Sequence, residues 1–191
     1  AVAIVLKRQA VELSLAPDLY VLAAAKWTFK GLQDSERLEY AAVPLGHPGK
    51  LIPPESAEKL ALSAISGGED WLEAKNLVDL DLIYRIANDT LFGSLDEKYE
   101  IMKLELRAKN EDRGDLQLKT LDQHLEHQTE ILERVMDSHR FRGNESLVKA
   151  TEGRLRAVQH RVEQQRMRIE SRKEIMADSQ EIAIAIIKLI S

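Results

Sequence analysis

The sequence predicts an α+β fold, with a small antiparallel sheet base made from N-terminal strands and a C-terminal strand, and a long antiparallel coiled-coil helical hairpin. Two patterns carry this expectation. Residues 115–173 place apolar side chains at alternating steps of three and four, whereas residues 1–45 and 182–190 form runs rich in Val, Ile, Leu and aromatics. Charge is a third observation. Residues 95–139 hold twelve Asp/Glu against seven Lys/Arg, and residues 140–173 hold ten Lys/Arg against four Asp/Glu, so unlike helices pair in preference to like ones. Each exposed ion pair contributes only about 0.2–1 kcal/mol, so charge selects the partner more than it stabilises the pair.

In chain order, Val2–Leu6, Ala10–Leu15, Tyr20–Phe29 and Arg37–Leu45 read as strands, with breaks at Pro17-Asp18 and across Gly31–Glu36. Tyr20, Leu22, Ala24 and Lys26 alternate with Val21, Ala23, Ala25 and Trp27, which gives the third run two apolar faces. The alanines leave helix open around Ala23–Ala25. Gly46–Pro54 is a loop by composition. Its Gly49-Lys50 does not make a phosphate loop, because Leu51 stands where Ser or Thr is needed and no glycine lies five residues before Gly49. Pro54 suits the first turn of a short amphipathic helix that runs through Ile65 and stops at Ser66-Gly67-Gly68. A longer helix is expected from Glu69-Asp70 through Trp71, Leu77, Tyr84, Leu91 and Leu104 into the arm. Gly93 and Gly114 are its weak points, at about 1 kcal/mol each relative to alanine.

In the arm, Leu118, Leu121, Leu125, Gln128, Leu132 and Val135 form the first seam, and Val148, Thr151, Leu155, Val158, Val162, Gln165 and Ile169 form the second. Arg142-Gly143-Asn144-Glu145 supplies a glycine for positive φ and an Asn cap for the turn. A centre between Phe141 and Arg142 makes residue i face residue 283 minus i, and at 1.5 Å per residue the hairpin would extend about 35–40 Å. Ile182–Ile190 is a β-branched strand expected to join the N-terminal sheet. The expected organisation is a base at 1–113, an arm at 114–176 and a returning strand at 177–191. The first residue is not methionine and both ends are apolar, which predicts a piece of a larger protein.

With 44% apolar and 31% charged residues, the chain is too polar for a membrane protein, and its most apolar run has nine residues where a spanning helix needs about 20. The lack of cysteine excludes disulfides and thiolate zinc sites and favours a cytoplasmic setting. A net charge of -5 argues against wholesale wrapping by nucleic acid. The second arm nevertheless carries a basic set, Arg154, Arg156, Arg161, Arg166, Arg168, Arg172 and Lys173. Guanidinium groups meet phosphates in a bidentate fork, so Arg154, Arg161, Arg168 and Arg172 are the candidate contacts to nucleic acid or a partner. The alternative is that these arginines pair with acids of the first arm. No aromatic residue interleaves them, which disfavours stacking on single strands.

His124, His127 and His160, with Glu126 and Glu130, are the only metal-like constellation. Bundle metal sites use Glu-x-x-His pairs from several helices and only one helix offers a His pair here, so no metal or cofactor is expected. Arg113-Gly114-Asp115 spells an adhesion tripeptide inside a helical stretch and is read as coincidence. No Gly-x-Ser-x-Gly, His-Glu-x-x-His or glycine-rich nucleotide loop is present, and the chain is read as non-catalytic.

Strands ending in Leu38-Glu39-Tyr40-Ala41-Ala42-Val43-Pro44-Leu45, the segment Pro54-Glu55-Ser56-Ala57-Glu58-Lys59-Leu60, a charged helix through Asn110-Glu111-Asp112-Arg113, a hairpin and a final strand together resemble the region that follows the motor in Snf2-type helicases. The kinds nearest in pattern are the bacterial Snf2-family ATPase that recycles RNA polymerase and the Snf2-like helicases of DISARM-type phage defence. The resemblance spans nearly the whole chain and implies an accessory domain of a DNA translocase. Its ATPase lobes would lie outside these residues, and its arm would contact duplex DNA, those lobes or a partner protein. A stand-alone protein-interaction or dimerisation coiled coil, without nucleic-acid binding, is the alternative.

Overall fold

The computed structural model describes residues 1–7 and 15–190. The strand expected at Ala10–Leu15 falls outside these, save Leu15. Two compact units are present: Ala1–Phe29 with Ser35–Lys103 and Ala177–Ser191, and Lys30–Asp34 with Leu104–Met176.

In the first unit, β1 (Val2–Lys7), β2 (Leu19–Lys30), β3 (Ser35–Pro44), β4 (Glu69–Asp70) and β5 (Met176–Ile190) form one sheet in the order β3-β2-β5-β1-β4. The α+β class and the union of N- and C-terminal strands are as expected, but the sheet is mixed. β2 pairs antiparallel with β3 and β1 with β4, while β1 and β5 run parallel, Val2 opposite Ala185 and Leu6 opposite Leu189. β2 and β3 are joined by a tight turn that forces them antiparallel. β1 and β5 are separated by most of the chain, so no hairpin dictates their direction.

Both faces of β2 are covered, which settles Ala23–Ala25 as strand. Tyr20, Leu22 and Ala24 share a buried cluster with Leu60, Ala61 and Ala64 of α1 (Pro54–Gly67). Trp27 and Phe29 point to the opposite side, where their rings lie 5.6 and 5.7 Å from Tyr99. That second layer continues through buried Ile83, Ile86, Leu91, Phe92 and Leu95.

The long helix does not begin at Glu69. Glu69 and Asp70 form the edge strand β4, because a Cβ at Gly68 would run into Ile4 Cγ2 and Ala64 O and the chain passes too close to β1 to coil there. After the short α2 (Ala74–Leu77), helix resumes at α3 (Leu80–Ile86), where Asp79 accepts from the backbone N–H of Asp81 at 3.0 Å and of Leu82 at 3.3 Å. A π-helical segment, Ala87–Phe92, then leads into α4 (Gly93–Phe141). Its wider turn lets Leu91 and Phe92 both reach the core, and Gly93 continues the helix at φ -56° and ψ -42° without breaking it.

In the second unit, α4 from Leu104 onward pairs with α5 (Glu145–Lys173). The turn is a Schellman motif: Gly143 sits at φ 65°, its N–H donates to Arg140 O, and the N–H of Asn144 donates to His139 O. Asn144 caps α5 through Leu147 N. The helices end at Phe141 and restart at Glu145, which centres the hairpin near Gly143, and the cross-helix pairs Asp115–Lys173 and Asp122–Arg166 both sum to 288. The expected register of 283 is therefore about one turn out. Leu118, Leu121, Leu125, Gln128 and Leu132 face inward as expected, but Met136 is buried where Val135 was expected. On α5 Gln165 is exposed and Arg166 half-buried. The cause is drift. A 3.6-residue helix slips about 20° per heptad against a strict 3.5 repeat, so a step of four stands in place of a step of three after Leu132 on α4 and after Val162 on α5.

A candidate interaction flank on the helical hairpin

Two flanks border the seam between α4 and α5, and they differ in chemistry. On one, Asp115 Oδ1 accepts from Lys173 Nζ at 2.6 Å, Asp122 accepts from Arg166, and Glu152 lies 4.0 Å from Arg140. The carboxylate beside Lys173 raises that ammonium above its ordinary pKa, chiefly through the hydrogen bond that Lys173 donates to Asp115. Acid and base alternate between helices here, so this flank is internally neutralised.

The other flank carries Arg154, Arg161 and Arg168, all exposed and each seven residues from the next. Seven residues are two helical turns with about 20° of drift, so the three guanidinium stems lie on one face of α5 in a row about 21 Å long. Although the backbone oxygen of Arg168 accepts from Ser171 Oγ, none of the three guanidinium groups has a hydrogen bond or ion pair with the described residues. The facing wall of α4 explains why. Gln117 and His124 line the same groove as Arg168, and the heptad step continues that wall to Ile131 and Ser138, so no carboxylate stands opposite. Leu116, Leu121 and Ile169 make the groove floor apolar.

Arg172 differs from the other three sequence candidates. Its guanidinium donates to Asp34 Oδ1 at 2.6 Å, within a cluster at the hairpin root. There the buried Asn110 joins three segments: Oδ1 accepts from Leu32 N at 3.0 Å, and Nδ2 donates to Arg172 O at 2.9 Å and to Lys173 O at 2.6 Å. Asp34 also accepts from Gly31 N at 3.1 Å, and that backbone bond, then the bond and charge of Arg172, hold its carboxyl below the ordinary carboxylate range. Arg113 donates to Gln33 Oε1 at 2.6 Å. Gly31 is required by packing, since a Cβ there would come 2.9 Å from Asn110 Oδ1.

The histidines do not converge. His124 lines the arginine groove, His127 is exposed, and His160 Nε2 lies 3.0 Å from Gln164 Nε2. Among the described residues no group of three or more metal-ligating side chains is placed to hold an ion, and no helix is long and apolar enough to cross a membrane. Comparison with protein-family models, with curated proteins and with solved structures gave no match.

Proposed function

We propose that this chain is a non-catalytic interaction module whose helical hairpin binds an anionic partner along the Arg154–Arg161–Arg168 flank. The observation that carries the reading is the asymmetry of the two flanks. Acids answer the bases on one, and on the other three arginines in a row meet no acid among the described residues. Within a fold, arginine stems can simply be solvated. Three in register, on the flank of a seam where e and g residues select partners, suit recognition better. The resemblance to the region after the motor of Snf2-like helicases supplies the setting we propose for it: an accessory arm of a cytoplasmic DNA translocase, with ATP hydrolysis carried by lobes outside these residues.

Retention of the full chain on an immobilised polyanion such as heparin tests this reading. Elution should move steeply between about 50 and 200 mM salt, as contacts to fixed anions do. Arg154→Glu/Arg161→Glu/Arg168→Glu should abolish retention while helical content is unchanged. Arg172 is left intact, because reversing it would break the root cluster. Absence of retention of the unaltered chain at low salt would overturn the reading.

A further inference from the structure

We infer that the partner of this flank is an acidic amphipathic α-helix, which docks along the hairpin as a third strand of the coiled coil with one carboxylate to each of Arg154, Arg161 and Arg168. This deepens the proposal of an anionic partner and rests on it. Three features of the groove select a helix. The first is spacing: the arginines recur every seven residues, about 10.5 Å, and a helix laid along the seam repeats with the same period, so acids at i, i+7 and i+14 meet all three. The phosphates of one duplex strand rise about 3.4 Å per nucleotide and wind away from a straight row. The second is the floor. Leu116 and Leu121 of α4 and Ile169 of α5 line the groove beside Arg168, and Leu116 is 65% exposed. Phosphate contact has no use for an apolar floor, whereas the leucine stripe of an amphipathic helix buries it.

The third is shape. The groove holds about 680 Å³, inside the range of roughly 300–1,000 Å³ typical of small-molecule pockets, but a lining residue as exposed as Leu116 makes it an open furrow that does not enclose a small ligand. A second copy of this chain is poorly matched to it. No seven-residue row on α4 has three acids in succession: Glu105 and Asp112, Glu126 and Glu133, and Glu130 and Asp137 are each rows of two, so self-docking through α4 would leave one arginine without a carboxylate.

The test uses the full chain and three fluorescent probes: a synthetic helix of about three heptads with leucine on its seam and glutamate beside it, the same helix with lysine for glutamate, and a duplex DNA of similar length. The acidic helix should bind. Arg154→Glu/Arg161→Glu/Arg168→Glu should weaken it at least about tenfold and should gain the lysine helix in exchange, a charge swap that an unfolded variant cannot show. Leu116→Ser, a neutral change at an exposed position, should weaken the acidic helix and leave polyanion retention unchanged. Duplex binding with the same arginine dependence but no acidic-helix binding would overturn the helix and keep the anionic reading. A dimer in solution lost on charge reversal would overturn it in favour of a second copy. Binding of none of the probes, with no retention on heparin, would overturn both readings.

Discussion

Replacing Asn110 by alanine should be among the most damaging single changes in the hairpin unit, and its cost can be worked from three hydrogen bonds. Asn110 is 7% exposed, accepts from Leu32 N and donates to the last two carbonyls of α5. An unsatisfied buried polar group costs about 1–3 kcal/mol. Leu32 is half-buried and the α5 end is partly wet, so water can reach some of the freed groups and each takes the low end of that range. The expected loss is about 2–4 kcal/mol in urea unfolding followed by helical circular dichroism. Asn110→Asp separates the donor from the acceptor role. It keeps the bond from Leu32 N but turns a carboxylate oxygen toward the Arg172 and Lys173 carbonyls. That repulsion raises the folded pKa of the new acid above its unfolded value near 3.9. Relative to the unaltered chain, Asn110→Asp should therefore be least destabilised below about pH 4 and lose stability as pH rises through the raised pKa. A loss below about 0.5 kcal/mol for Asn110→Ala, with unfolding still cooperative, would refute the reasoning.

Glycine substitutions should divide by environment: Gly93→Ala and Gly153→Ala, with open space at the Cβ, should each add about 0.5–1 kcal/mol in the same unfolding assay. Gly114→Ala should not, because its Cβ would lie 2.9 Å from Lys173 Cγ and force that side chain away from Asp115. At the turn, Gly143→Ala should lower stability by about 1–2 kcal/mol, since φ there is 65°. Asp34 should shape the acid limb. Its folded pKa is depressed, so its contribution is present above the unfolded carboxylate pKa and lost as pH falls through the folded one; Asp34→Asn should flatten that limb in an acid titration of unfolding.

The hairpin was legible because both seams and the turn are written locally: alternating three and four steps, then glycine and asparagine in the order a Schellman turn and an Asn cap require. The two apolar faces of β2 were legible for the same reason, since alternation is a property of adjacent residues. What sequence reasoning missed depends on distant pairs. The parallel direction of β1 and β5 is set by a crossover with no local signature. The Glu69-Asp70 strand follows from how closely Gly68 passes Ile4, although Asp79 two residues before Asp81 did mark the true helix start. At the site, the arginines were visible as a set, but seven-residue spacing alone separates Arg154, Arg161 and Arg168 from Arg166 and Arg172. Heptad position opposite Gln117 and His124, as against Asp115 and Asp122, was the signal available. Asn110 gave none, because its partners lie 78 and 62 residues away.

A recognition surface formed by the three flank arginines requires that they be unnecessary to the fold, and the urea midpoint of Arg154→Gln/Arg161→Gln/Arg168→Gln reads this out. The expected result is a stability within about 0.5 kcal/mol of the unaltered chain, with Asp122→Ala on the closed flank costing about 0.2–1 kcal/mol beside it. A loss of more than about 1.5 kcal/mol in the triple variant would make the row structural and would contradict its assignment as a recognition surface.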